Sequence, residues 1–164
     1  MAEATAVSPE GRITGGDLGI WSDRHVEAFR RITAFVEAQG AVPAIQIAHA
    51  GRKASTEVPW RGGAPIAPDR GGWEPLGASP IAFDGASTVP RALTADELKD
   101  LVCRYADAAR RCLEAGFKVV EIHMAHGYLL HEFLSPLSNG RTDEYGGSLE
   151  NRMRFPLQAA GAVR

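Results

Sequence analysis

Apolar side chains recur along the chain in two alternating rhythms, one with the spacing of a helix and one of short unbroken runs. Val26, Phe29, Ile32 and Val36 keep helical spacing. Ser22 stands before them as a cap and Gly40 behind them as a stop, predicting an amphipathic helix over residues 23 to 39. The run from Ala41 to Ala48 reads as a strand buried on both faces, with Pro43 tolerable only near its start. The alternation then repeats. Thr94 and Glu97 form a capping box ahead of Leu98, Leu101, Val102, Tyr105, Ala109, Cys112 and Leu113, Gly116 ends that helix, and Phe117 to His123 follows as a strand. Ser148 to Arg164 opens a further helix, in which Pro156 should cost a hydrogen bond or introduce a kink. Helices alternating with buried strands predict parallel strands joined by crossover helices, an α/β architecture.

Residues 51 to 92 break the rhythm. They are rich in Gly and Pro, carry Trp60 and Trp73, and follow the end of a predicted strand, where long loops tend to be functional. An active-site flap is the expectation, and the two Trp residues predict that it packs onto the body of the fold. Within the predicted strands, alternation puts Val119, Glu121 and His123 on one face and Val120 and Ile122 on the other, and sets Gln46 on the face of Ala44 and Ala48. In a barrel the polar face would line the lumen, where a buried carboxylate needs partners.

Composition narrows the class. Of the residues, 45% are hydrophobic and 23% charged, ordinary values for a domain with a core. The 18 basic and 20 acidic side chains are interspersed and leave a net charge of -2, so no field draws nucleic acid or an anionic membrane, and a small molecule is the expected partner. No apolar run approaches the roughly 20 residues of a membrane span, and the start MAEATAVSPEGR lacks the marks of a signal peptide, so the expected location is cytoplasmic. Cys103 and Cys112 lie about 13 Å apart along one helix at ~1.5 Å per residue, too far for a disulfide. Both read as structural, Cys112 on the apolar stripe and Cys103 beside it.

The chemistry concentrates between residues 121 and 152, where a strand runs through polar loop residues into a helix cap, the kind of junction that carries active sites in parallel α/β folds. His123, His126 and His131 invite a metal-ligand reading, but no HExxH pattern is present, and Gly127 points to a backbone turn; no metal is expected. His131 and His49 read equally well as loop histidines satisfying hydrogen bonds. Spacing alone leaves His123 and His126 undecided.

The stretch EIHMAHGYLLHEFLSPLSNGRTDEYGGSLENR resembles the fourth strand and following loop of the Old Yellow Enzyme family, in its bacterial YqjM-like branch. EATAVSPEGRITGGDLGIWSD (residues 3 to 23) and QIAHAGRKA (residues 46 to 54) similarly resemble the ends of its second and third strands. The resemblance implies part of a (β/α)8 TIM barrel, from the end of strand 2 through helix 4, that uses FMN and takes NADPH or NADH as reductant to reduce activated alkenes. It also implies roles. His123 and His126 would hydrogen-bond the substrate's carbonyl or nitro oxygen, and Tyr128 would supply the α-carbon proton. Gln46 would meet the flavin's pyrimidine edge, and Ala4 would lie against the ring. Arg52, Lys53, Arg141, Asp143, Glu150 and Arg152 stand in family-like motifs but are expected to build structural salt bridges.

A full barrel of this type takes about 250 residues. The 164 residues are therefore expected to form one incomplete FMN-dependent barrel domain, inactive alone, whose open strand edges invite a second copy or a complementing barrel half. The alternative reading is a non-catalytic half-barrel module that pairs with another chain.

Overall fold

The computed structural model describes residues 1 to 164. In chain order the elements are β1 (Ala2–Ala6), α1 (Asp23–Ala38), β2 (Ala44–Ala48), β3 (Leu76–Gly77), β4 (Arg91–Ala92), α2 (Ala95–Glu114), β5 (Val119–Ile122), α3 (Leu129–Leu134) and α4 (Leu149–Val163). Strands β1, β2 and β5 form a parallel sheet in that order, with Gln46 opposite Glu121 and Ile47 opposite Ile122. Each crossover carries a helix, as parallel pairing requires.

The helices form where their caps begin them. Thr94 Oγ1 accepts from the Glu97 N–H, and the Glu97 carboxylate accepts from the Thr94 N–H, closing the predicted box at the head of α2. Ser22 caps α1 with an unforeseen partner: His25 Nδ1, in the place of the usual Glu or Gln, accepts from the Ser22 N–H at 3.2 Å. Gly40 and Gly116, at φ of +77° and +91°, turn the chain out of α1 and α2. α4 runs unbroken through Pro156, which is buried in the core.

The core lies between the sheet and its helices. Ile45 and Ile47 of β2 meet Leu98, Tyr105, Ala108 and Cys112 of α2, all buried, and α4 closes on α2 and α3 through Phe155, whose ring lies 4.8 Å from that of Phe133. Burial pushes the Cys112 thiol up to about 12, as a buried apolar role demands, whereas Cys103 is exposed.

Three expectations need correction. The strand expected over Ala41 to Ala48 begins at Ala44, because the Ala41 N–H returns to Val36 O to finish α1 and Pro43 has no N–H to give a ladder. Nor is β2 buried on both faces: Ile45 and Ile47 are covered, but Ala44 and Gln46 are only half-buried. On α1 the buried stripe stops early, with Val26, Phe29 and Thr33 covered and Ile32 56% exposed.

Residues 51 to 92 do lie against the fold, through Trp73 and not Trp60. The Trp73 indole donates to Glu10 O at 2.9 Å and stacks under the Arg12 guanidinium, while Trp60 is 82% exposed on a 3-10 turn. Within the segment β3 and β4 pair in parallel, and the Leu93 N–H extends them by reaching Gly77 O.

Candidate active site

A polar lane crosses the open face of the sheet. β1 bulges between Ala2 and Thr5, and Ala4 takes a left-handed φ of +40°, so that its N–H leaves the ladder and donates to Gln46 Oε1 at 3.1 Å. Gln46 Nε2 in turn donates to Glu121 Oε1 at 2.5 Å. Glu121 thus has the partner expected of a lumen carboxylate, though it is exposed and not buried.

Just past β5 the chain gathers its aromatic donors. The His123 N–H pairs with Ile47 O, continuing the ladder and leaving the side chain buried above the strand end. His123 Nδ1 accepts from the Ala125 N–H at 3.2 Å, which assigns the proton of the neutral ring to Nε2. That nitrogen lies 3.1 Å from His126 Nδ1, so His123 donates to His126 and the free ring N–H of the pair is His126 Nε2. Burial, and then the neighbouring His126, lower the His123 pKa, keeping the ring neutral near pH 7. The Tyr128 ring stands edge-on to His123 with centroids 5.0 Å apart, and burial raises the phenol above its ordinary value, so it keeps its proton.

The turn that presents these rings is strained and braced. His126 has φ +57° and Gly127 φ +73°, a left-handed pair that costs roughly 1–2 kcal/mol at the non-glycine position. Three contacts hold it: the Tyr128 N–H to Ala125 O at 3.2 Å, the Gly127 N–H to His131 Nδ1 at 2.8 Å, and Lys53 Nζ to His126 O at 2.7 Å. His131 is therefore engaged in bracing the turn. No three His, Cys, Asp or Glu side chains come close enough together to hold a metal ion.

Sequence reasoning passed over Glu132. It lies on α3 at 1% exposure, accepts from the Arg52 N–H at 2.7 Å and the Ala78 N–H at 3.0 Å, and so ties the start of the 51 to 92 segment and the residue after β3 to the helix after the site. Burial pushes its carboxyl up to about 7 against those two N–H groups and the nearby Arg52 and Lys53 charges. Its only sequence signal is an acidic residue between Leu130 and Phe133, inside an apolar run. His49 is its counterpart beneath the loop: fully buried, accepting from the Gly51 N–H at 3.0 Å, and pushed down to about 4 by burial.

The charged residues set aside as salt-bridge formers mostly bind backbone. Arg141 donates to Ala78 O and to Leu93 O, and pairs with Asp143 at 2.5 Å; Arg52 reaches Ala82 O, and Arg152 reaches Leu134 O and Gly147 O. Only Arg141–Asp143 among them is an ion pair. The planar guanidinium suits this work, since one side chain can satisfy carbonyls on two segments.

Helix-backed parallel strands with a polar lane and donors at their C-terminal ends define a segment of an α/β barrel with its site at the strand ends. The chain belongs to the NADH:flavin oxidoreductase / NADH oxidase family, whose model matches residues 1 to 164. It is 54% identical over its full length to the NADPH dehydrogenase of Bacillus subtilis and 48% identical to an NADH:flavin oxidoreductase of Gibberella zeae, covering 44% and 41% of those proteins. Among solved structures it is similar to morphinone reductase (TM-score 0.86, 35% identity) and to an Old Yellow Enzyme homologue from Zymomonas mobilis (TM-score 0.83, 37% identity). It covers 44% of each, and each match takes in 98% of this chain. The expected Old Yellow Enzyme membership and the barrel-segment fold are thus borne out, and the chain spans less than half the length of the relatives it matches. No helix is long and apolar enough to cross a membrane.

Proposed function

We propose that this chain is the part of an FMN-dependent ene-reductase that binds and protonates the substrate, reducing activated alkenes with NADPH or NADH. The observation that carries the reading is the convergence of His123, His126 and Tyr128, two imidazoles and a protonated phenol, at the end of β5. A pair of imidazole N–H donors suits a carbonyl or nitro oxygen on which negative charge grows, because hydrogen bonds to a developing oxyanion strengthen in the transition state. Substrate oxygen would compete with His126 Nδ1 for the His123 Nε2 proton, so binding should open the contact between the rings. The Tyr128 phenol, held protonated, is then the proton source for the α-carbon.

The sheet face fits a flat ring that carries an imide edge. Gln46 offers one amide donor and one acceptor there, the bulge turns the Ala4 N–H onto the same lane, and the small Ala44 and Ala48 flank Gln46 on that face. Bound FMN would supply the hydride; Gln46 and Ala4 would hold and orient its ring. The setting we infer is cytoplasmic, and the whole protein's substrate a small activated alkene.

A second reading concerns the partner. The outer edges of β1 and β5 carry no neighbouring strand along most of their length, which favours pairing with a complementing barrel half or a second copy. The test is the flavin absorbance and NADPH-dependent reduction of 2-cyclohexenone by this chain alone and with the missing half supplied in trans. His123→Ala and His126→Ala should each lower turnover about a hundredfold in the completed barrel, and Tyr128→Phe should slow reoxidation by the enone. Unchanged turnover in the two His variants sinks the assignment.

A further inference from the structure

Lys53 stands in an unusual place for a loop lysine. Its ammonium makes no ion pair. It lies 3.9 Å from the centre of the Phe83 ring and 5.5 Å from that of Tyr128, and donates to His126 O at 2.7 Å. A Cβ built on Gly127 would come within 3.3 Å of Lys53 Cε and 3.7 Å of Phe83, so both side chains press on the turn itself. The carbonyl that Lys53 holds belongs to the one left-handed non-glycine residue of that turn, and the same residue's ring meets His123.

We propose that Lys53 is a positioning residue for the oxygen-binding pair: its ammonium, seated against Phe83, clamps the His126 carbonyl and so fixes the left-handed turn that sets the His126 ring against His123. The clamp also links the long excursion to the site, because Lys53 and Phe83 both belong to residues 51 to 92. The role is indirect. Without the clamp, the His126 backbone relaxes toward a right-handed or extended conformation and carries its ring away from the substrate oxygen. Burial and the adjacent Arg52 lower the Lys53 pKa, and Asp84 and Glu132 oppose that shift.

The proposal rests on the oxygen-binding reading of His123 and His126, and a double-mutant cycle separates the two. The probe is p-nitrophenol, whose phenolate is a stable oxyanion with its own visible absorption, titrated into the flavin-loaded full-length protein that carries this segment. Lys53→Met is expected to weaken p-nitrophenolate binding roughly tenfold to a hundredfold, with FMN affinity unchanged and Lys53→Arg restoring most of the loss. His126→Ala should weaken it comparably, and adding Lys53→Met to His126→Ala should do almost nothing more, because a residue that acts through His126 has nothing left to position. Full additivity in the double variant overturns the positioning role, as it would mean that the ammonium acts directly on the bound anion. Loss with His126→Ala but none with Lys53→Met also overturns it and leaves the oxygen-binding reading standing. If His126→Ala itself binds the probe normally, both fall. Should Lys53→Met fail to accumulate as a flavoprotein, Lys53→Gln enters the same cycle and is judged by the same additivity.

Discussion

At the C-terminal ends of the strands the loops are tied to one another, with Glu132 on two backbone N–H groups, Arg141 on two carbonyls, and Lys53 on the His126 turn. Along the free edge of β1 and the later turns of α1 the opposite holds: Met1, Leu18, Ile32 and Val42 are between 48% and 66% exposed around a bare apolar cleft. The rim that bears the chemistry is thus finished within this chain, whereas the scaffold beneath it is not. The contrast teaches that the site's local geometry depends on short polar ties, and that barrel closure serves the apolar layer and the strand edges.

The sharpest way to break that contrast is Gly51→Ala. Gly51 has φ +62°, and a Cβ there would sit 1.9 Å from Glu132 Oε1 and 2.8 Å from the Leu129 N, so rim and helix cannot both stay in place. A loss of about 4 kcal/mol or more, read from the denaturant midpoint, is expected; a loss under about 1 kcal/mol would show that the rim ties are dispensable.

Next come the two buried titrating groups, which act in opposite directions. The folded His49 titrates at about 4, below its ordinary 6.5, so the unfolded chain takes up the proton first and stability falls as pH drops from about 6.5 to 4. Glu132 titrates at about 7 in the folded state against an ordinary 4.5, so the folded state takes up the proton first and stability rises as pH drops from about 7 to 4.5. Each contributes about 3 kcal/mol at most, and between pH 4.5 and 6.5 they largely cancel. Relative to the parent, His49→Gln should therefore gain stability as pH falls through that window; parallel midpoint curves for the two proteins would refute the opposition.

Arg141→Lys should cost about 2 kcal/mol, because a point charge cannot reach Ala78 O, Leu93 O and Asp143 together. The smallest effect belongs to the other end of the comparison. Ile32→Ser, 56% exposed at the cleft, should change stability by less than about 0.5 kcal/mol while reducing self-association in sedimentation. A large destabilisation there would mean that the cleft is part of this chain's own core.

Much of the fold could be read from the sequence, because helix caps and apolar spacing are local: Thr94 with Glu97, Gly40, Gly116 and Ser148 act where their positions suggest. Burial was less legible. Ile32 and both faces of β2 were expected to be buried, yet Ile32, Ala44 and Gln46 are not fully covered, because apolar spacing marks which side of an element can be buried and not whether a neighbour lies beside it. At the site, the family motif brought forward His123, His126 and Tyr128, and the structure gathers the three within a few ångströms. Lys53 was read only as a salt-bridge former and Glu132 was passed over, because their partners are backbone atoms distant in sequence, 73 residues away for Lys53 and 80 and 54 for Glu132. Trp60 misled for a simpler reason: an aromatic side chain signals packing only when something lies beside it.

The outer turn of the excursion is closed at its base, where the Glu57 N–H meets Ala64 O, the Ile66 N–H meets Ser55 O, and Thr56 bridges Pro65, while Gly62 and Gly63 sit at its tip. A segment pinned at its neck can be exchanged like a cartridge, since doubling a flexible loop's length costs only about 0.6 kcal/mol in closure entropy. Gly62–Gly63 is accordingly the point at which a foreign peptide could be spliced into this domain while the histidine pair keeps its seat.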